Sequence, residues 1–348
     1  MKKNLWIPAL ILFLLAGCST SIPILESSAN KSGLTTTAQL LDRDYASAIE
    51  TFYAGGEEGT FPGAADVKIY YRIFRQPGAE KGAVLISSGR TEAAIKYREL
   101  IYDLYNNGYS VYIHDHRGQG LSGRMTEDRE MGYVDDFQNY VSDMKYFYDH
   151  YLVPGKHEHR YLLAHSLGGA IGMTYLEQFP DDFNAAAFSS PMLGLSPYIC
   201  PLAHLLAGKT PKYAPGQSGY HNDSTAFAGN DVTGSDIRYY RNIEANIRFP
   251  EARLGGASLQ WLTESCEAMK AIRRNAEDLK TPFILFAADN ETVVYPKAYV
   301  KFTSKAARAG KEYQIFLVPD AQHELLMEKD AQRTDVLEKV LEFYSEHP

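Results

Sequence analysis

Four short segments carry side chains that could together perform acyl transfer. Ala164-His165-Ser166-Leu167-Gly168-Gly169 sets a serine between an apolar run and a helix-like stretch, with small residues two before and two after it. A small-x-Ser-x-Gly string at a strand–turn–helix junction lets a strained turn close and holds the hydroxyl clear of the backbone. Asp320-Ala321-Gln322-His323-Glu324 supplies a base, and Phe286 to Val294 contains an acidic turn with Asp289 and Glu291. Serine is a weak nucleophile until a base takes its proton, and that base needs a carboxylate to fix its tautomer. Ser166, an acid near 290 and then His323 follow the chain order in which such triads occur on open α/β sheets. The fourth segment is Ser87-Ser88-Gly89-Arg90. Acyl transfer also needs donors aimed at a developing oxyanion; by position these are the backbone N–H groups of Leu167 and Arg90.

These groups need a frame. Apolar runs at Ala83–Ile86, Val111–Ile113, Tyr161–Ala164, Phe283–Phe286 and Ile315–Val318 read as strands buried on both faces. Helical spacing recurs at Tyr97–Tyr105, Phe137–Tyr151, Leu167–Phe179 and Val336–Tyr344. Alternation of this kind predicts an α/β fold, a mostly parallel, doubly wound sheet with right-handed crossovers. Val67–Phe74 alternates and is expected as an antiparallel edge. Each triad candidate then falls at the carboxyl end of a strand, where open α/β sheets place their sites. Residues 194–278 break the rhythm with many Gly, Pro, Asn and Asp and are expected to form a helical cap between core segments 45–193 and 279–348. Leu193, Leu195, Tyr198 and Leu202 head an apolar stretch, continuing through Leu206, that is expected to line an acyl-chain channel.

The 348 residues are 45% apolar and 22% charged, which excludes disorder and a polytopic membrane protein. A net charge of −8 argues against a nucleic-acid partner. His114-Asp115-His116 lacks further ligand segments, so no metal is expected there, and the chemistry above requires no cofactor. Three cysteines cannot build a dense disulfide framework; Cys200 and Cys266 could pair in an oxidising compartment or remain buried thiols.

The chain resembles the α/β-hydrolase branch that contains monoacylglycerol lipases and, more closely, bacterial lysophospholipases. The matching strings are Ala83–Arg90, Asp115-His116-Arg117-Gly118-Gln119-Gly120-Leu121-Ser122, Ala164–Gly169, Arg253-Leu254-Gly255-Gly256 with Trp261, and His323–Asp330. The resemblance covers about residues 45 to 346. It implies hydrolysis of a single-chain lipid ester through an acyl-Ser166 intermediate, without metal. Ser88-Gly89 stands where monoacylglycerol lipases have His-Gly, which favours a lysophospholipid over a monoacylglycerol substrate. The residues alone leave Asp289, Glu291 and Asp320 as candidate acids. Asp320 shares a loop with His323, and the family's acid sits two residues before a hydrophobic pair, as Glu291 does before Val293-Val294; the expected triad is Ser166, Glu291 and His323. Rival readings are a monoacylglycerol lipase or carboxylesterase, or an inactive lipoprotein that carries lipid in the cap groove.

The start of the chain has its own pattern. Lys2 and Lys3 precede an apolar run from Leu5 to Ala16, too short to span a bilayer comfortably, which reads as a signal peptide over 1–17. Leu15-Ala16-Gly17-Cys18 resembles a bacterial lipobox, in which Cys18 would become the lipidated N-terminus. Removing 1–17 takes away two lysines and no acid, moving the charge from −8 to −10. Ser19 after Cys18 implies release to the outer membrane in enteric-type bacteria. Residues 18–44 are expected to form a lipidated terminus and, over Thr20–Thr37, a flexible tether. The expected partners are thus a lipid substrate and a membrane; nothing in the sequence assigns a protein partner.

Overall fold

A computed structural model of the chain describes residues 22–221 and 226–348. Its centre is one eight-stranded sheet: β1 (Glu57–Pro62), β2 (Lys68–Phe74), β3 (Gly82–Ser87), β4 (Tyr109–His114), β5 (Arg160–His165), β6 (Ala185–Ser189), β7 (Phe283–Ala288) and β8 (Tyr313–Val318). The spatial order is β1-β2-β4-β3-β5-β6-β7-β8. β2 runs antiparallel to both neighbours, and every pair from β4 to β8 is parallel.

Every residue of β3 to β7 except Arg160 is buried, because helices cover both faces. Side-chain alternation sorts each strand into two cores. Val84, Ile86, Val111 and Ile113 meet α3 (Arg98–Asn106) and α10 (Asp330–Glu346) on one face. Leu85, Tyr112 and Leu162 meet α4 (Gln138–Phe147), α5 (Leu167–Gln178) and α9 (Lys297–Arg308) on the other. Between β6 and β7 the chain leaves the sheet to form α6 (Ile199–Leu206), α7 (Asp236–Arg248) and α8 (Leu259–Arg274). Trp261, Met269 and Ile272 of α8 are part of the core, so this helix belongs to the covering layer as well as to the cap. The Cys200–Cys266 disulfide fastens α6 to α8.

Two expectations are corrected. β2 is not the sheet edge, since β1 pairs along its whole length; only Phe61 of β1 is buried, so Glu-Glu-Gly-Thr-Phe-Pro carries no strand pattern. The tether is not free from Ile22 onward. Ile24 makes a parallel bridge to Leu317, capping the outer edge of β8, and Leu25 and Leu34 are buried. The N–H groups of Ser28, Ser32, Thr35 and Thr37 donate to Asp335, Glu338, Asp103 and Asp330. Ser and Thr are here fixed by carboxylates of α3 and α10, long-range partners that composition cannot reveal. Two further helices follow, α1 (Thr37–Leu41), with a Thr36–Gln39 capping box, and α2 (Arg43–Ala54). Cys18 and the leader lie outside the described residues.

Candidate active site

β5 ends at His165, and α5 begins at Leu167, so Ser166 sits alone at the turn with φ 51° and ψ −115°. A non-glycine residue there is strained. Its neighbours explain why the turn can close: a Cβ on Gly168 would lie 2.1 Å from the Ser87 carbonyl oxygen, and one on Gly169 would lie 2.5 Å from Pro191. The loop after β8 brings His323 opposite, with Nε2 2.9 Å from Ser166 Oγ. The loop after β7 brings Glu291 behind it, with Oε2 2.8 Å from His323 Nδ1. Glu291 Oε1 accepts from the N–H groups of Val293 (2.8 Å) and Val294 (3.1 Å). Burial pushes this carboxyl up, but the His323 hydrogen bond and charge, with the two backbone donors, hold it below its usual range. Asp289 and Asp320 are exposed and make no contact with His323.

The oxyanion side is open for use. Leu167 N–H heads α5, and neither it nor Arg90 N–H donates to another group among the described residues. Gly89 is pinned between Glu92 Oε2, which accepts its N–H, and Gln119 Nε2, which donates to its carbonyl at 2.7 Å. Asp115, in the motif tested above for metal ligation, accepts from the N–H groups of Ala94 (2.6 Å) and Leu121 (2.7 Å) and so shapes the adjoining loop.

Ser166 opens into a cavity of about 450 Å³ lined by Met192, Leu195, Ile199, Leu202, Leu259 and Trp261, among others. The apolar wall thus comes from the cap and from the turn after β6. Two expected wall residues are not there. Leu193 is wholly buried in the core below, and Tyr198, at the entry to α6, is 82% exposed on the outer surface. The helical turn of α6 explains the second: Ile199, Leu202 and Ala203 share the inner side, whereas Tyr198 at its start and Leu205 face out; Leu195 reaches the cavity from the turn ahead of the helix. Residues that the sequence did not assign to the site include Trp261 and Val294, which also line the cavity. They also include Glu328, whose Oε2 accepts from Gln322 N–H beside the base at 2.9 Å and whose Oε1 accepts from Gly234 N–H of the cap at 2.7 Å.

Arg90 also lines the cavity, and its side chain packs beside the cavity residue Trp261. One guanidinium nitrogen donates to the Gly255 carbonyl at 2.6 Å, and the group lies 5.2 Å from the centre of the Trp261 ring. Its Nε is buried without a hydrogen-bond partner, and no carboxylate among the described residues pairs with it. Burial lowers its pKa to about 10, so it remains a cation at neutral pH.

Comparison with known proteins agrees with this geometry. A family profile, Hydrolase_4, described as serine aminopeptidase S33, matches residues 78–330. Lysophospholipase L2 of Escherichia coli (strain K12) is 33% identical over 86% of this chain and 90% of its own length. A probable lysophospholipase L2 of Haemophilus influenzae is 30% identical over 81% of this chain and 90% of its own length. Among solved structures, the monoacylglycerol lipase of Paleococcus ferrophilus superposes with a TM-score of 0.64 at 21% identity, covering 80% of this chain and 99% of that one, which shows the shared fold. The chain belongs to the Hydrolase_4 family of α/β-hydrolases, as a serine hydrolase of the lysophospholipase and monoacylglycerol lipase kind.

Proposed function

We propose that this protein hydrolyses the carboxylic ester of a lysophospholipid. The observation that carries the reading is the Ser166–His323–Glu291 chain of hydrogen bonds at the floor of an apolar cavity. His323 Nε2 takes the Ser166 proton as Oγ attacks the ester carbonyl. The carbonyl oxygen, now an oxyanion, lies against the N–H groups of Leu167 and Arg90. Collapse expels the glycerol alcohol, which takes its proton from His323, and leaves acyl-Ser166. Water then gives its proton to His323 and attacks the acyl carbon, releasing fatty acid and restoring Ser166.

The unpaired Arg90 guanidinium favours a phosphate-bearing head group over a neutral glyceride. A buried cation without a counter-charge is costly, and a phosphate offers both the charge and two acceptors in guanidinium geometry. The family description names an aminopeptidase, but such an enzyme must hold a substrate ammonium. The two carboxylates that line the cavity, Glu92 and Glu324, are both already bound to Lys96. The purified protein should show a higher kcat/KM on a lysophospholipid such as lysophosphatidylethanolamine than on a monoacylglycerol of the same chain length. A preference for the monoacylglycerol would move the assignment to the glyceride class.

We also propose that the protein is a lipoprotein of a bacterial envelope, lipid-anchored through Cys18 in the outer membrane. The Lys2-Lys3 start, the apolar run and the lipobox support it. Ile22 lies four residue steps after Cys18, a reach of at most about 14 Å, so an anchored Cys18 would hold the β8 edge of the sheet close to the membrane.

A further inference from the structure

A buried charged cluster lies beside the triad and takes no part in the chemistry above. Lys96 Nζ donates to Glu92 Oε1 and to Glu324 Oε1, each at 2.6 Å, and the lysine and Glu92 side chains are both 5% exposed. Its two partners belong to different loops. Glu92 follows the Ser88–Arg90 turn and accepts the Gly89 N–H with its other oxygen, which also receives the Tyr97 hydroxyl. A Cβ on Gly89 would lie 2.7 Å from that oxygen, so the contact itself requires glycine. Glu324 is the residue after the base, and its N–H donates to the cap at Val232 at 2.7 Å.

We infer that Lys96, with Glu92 and Glu324, is a positioning brace that ties the oxyanion loop to the His323 loop. The inference rests on the hydrolase reading above. With the Gly89 N–H held by Glu92, the next N–H, that of Arg90, is the one left for the oxyanion. Lys96 then fixes how far that donor stands from the base, since it grips the acid of one loop and the neighbour of His323 in the other. Oxyanion donor and base must act on one tetrahedral centre, and errors of about 1 Å in such placement cost on the order of 100-fold in rate. Lys96 and Glu92 are held toward their charged forms, while burial and the nearby Glu92 raise the Glu324 carboxyl above its ordinary value. Burial lowers Lys96, but Glu324 and Glu92 together raise it above its ordinary value. Burial raises Glu92, but the charge and hydrogen bond of Lys96 hold it below the usual carboxylate range. His165 Nε2 lies 3.9 Å from Glu92, and the His165 and His323 ring centres lie 4.9 Å apart.

The brace is tested by cutting only the link between the loops. Glu324→Ala leaves Lys96 paired with Glu92, and Glu324→Gln keeps an acceptor for Lys96 without the charge. Active sites are counted by stoichiometric fluorophosphonate labelling, so unfolded protein does not enter the rate. Per labelled site, Glu324→Ala should lower kcat on a soluble p-nitrophenyl ester by about 10- to 100-fold with KM nearly constant, and Glu324→Gln should recover most of the loss. An unchanged kcat for Glu324→Ala would overturn the brace. Equal losses for Ala and Gln would overturn it too, since they would make the charge of Glu324, not its hydrogen bond, the cause. Failure of the wild type to take the label would instead overturn the hydrolase reading beneath it.

Discussion

Replacing Glu291 by glutamine changes one oxygen to an amino group and removes one charge, in a place where neither is tolerated. The carboxylate uses Oε2 for His323 Nδ1 at 2.8 Å and Oε1 for the N–H groups of Val293 and Val294 at 2.8 and 3.1 Å. A glutamine has one acceptor end and one donor end. If its oxygen keeps His323, its amino group faces two backbone donors. If its oxygen keeps the two backbone donors, its amino group faces His323 Nδ1. The second arrangement preserves more hydrogen bonds and forces the proton onto Nε2, the nitrogen that must accept the Ser166 proton. The wrong tautomer, with loss of the charge that stabilises imidazolium, should lower kcat by roughly 10² to 10⁴. That corresponds to about 3 to 5 kcal/mol of barrier. The assay is kcat on a soluble p-nitrophenyl ester for purified Glu291→Gln and Asp289→Asn, with circular dichroism to confirm folding. Asp289→Asn should stay close to wild type, because that side chain is exposed and away from His323. A crippled Asp289→Asn beside a nearly normal Glu291→Gln would refute the reasoning.

Three other outcomes are expected. The Cys200–Cys266 bridge closes a sequence separation of 66 residues, so Cys266→Ser should destabilise the protein by about 4 kcal/mol in denaturant titration, and mass spectrometry of unreduced protein should find no free thiol at either position. His116 and His165 are buried neutral, with burial holding each pKa near about 4. The unfolded chain takes up these protons near pH 6.5 and the folded chain only near 4, so stability should fall as pH drops through that window, by roughly 3 kcal/mol for each histidine; a urea midpoint unchanged between pH 7 and 4.5 would contradict this. Cys18→Ser should abolish acyl labelling and release the protein from the membrane fraction while activity on soluble esters persists; wild type without acyl label would refute the lipoprotein reading.

The parts of the molecule that could be read in advance are those whose neighbours are the same everywhere. β3, β4, β5 and β7 are buried on both faces, and continuous apolar runs such as Ala83–Ile86 follow directly from that. The triad side chains were visible because each stands at a strand exit, and strand order fixes which exits meet. What could not be read depends on contacts from far along the chain. β1 is held by pairing to β2 and carries a single buried side chain, so nothing in its composition marks it. The segment 22–37 looks like a linker until Asp103, Asp330, Asp335 and Glu338 bind its N–H groups. Leu193 and Tyr198 lie in the same apolar stretch as Leu195 and Leu202, and only the folded path of the turn after β6 and of α6 separates wall from core and surface. Lys96 sits in a short 3₁₀ turn, Ala94–Tyr97, ahead of α3; its two carboxylates, 4 and 228 residues away in sequence, give it meaning only once the loops are folded together.

The central claim is that Ser166 is the acyl-carrying nucleophile of a lipid esterase. It is tested most directly by quenching the purified enzyme in acid during turnover of lysophosphatidylethanolamine and mapping the acyl adduct by peptide mass spectrometry. The account predicts a fatty-acyl mass on the peptide that contains Ser166, absent from Ser166→Ala, together with loss of fatty-acid release in that variant. Undiminished fatty-acid release by Ser166→Ala, or an adduct on a different residue, would contradict it.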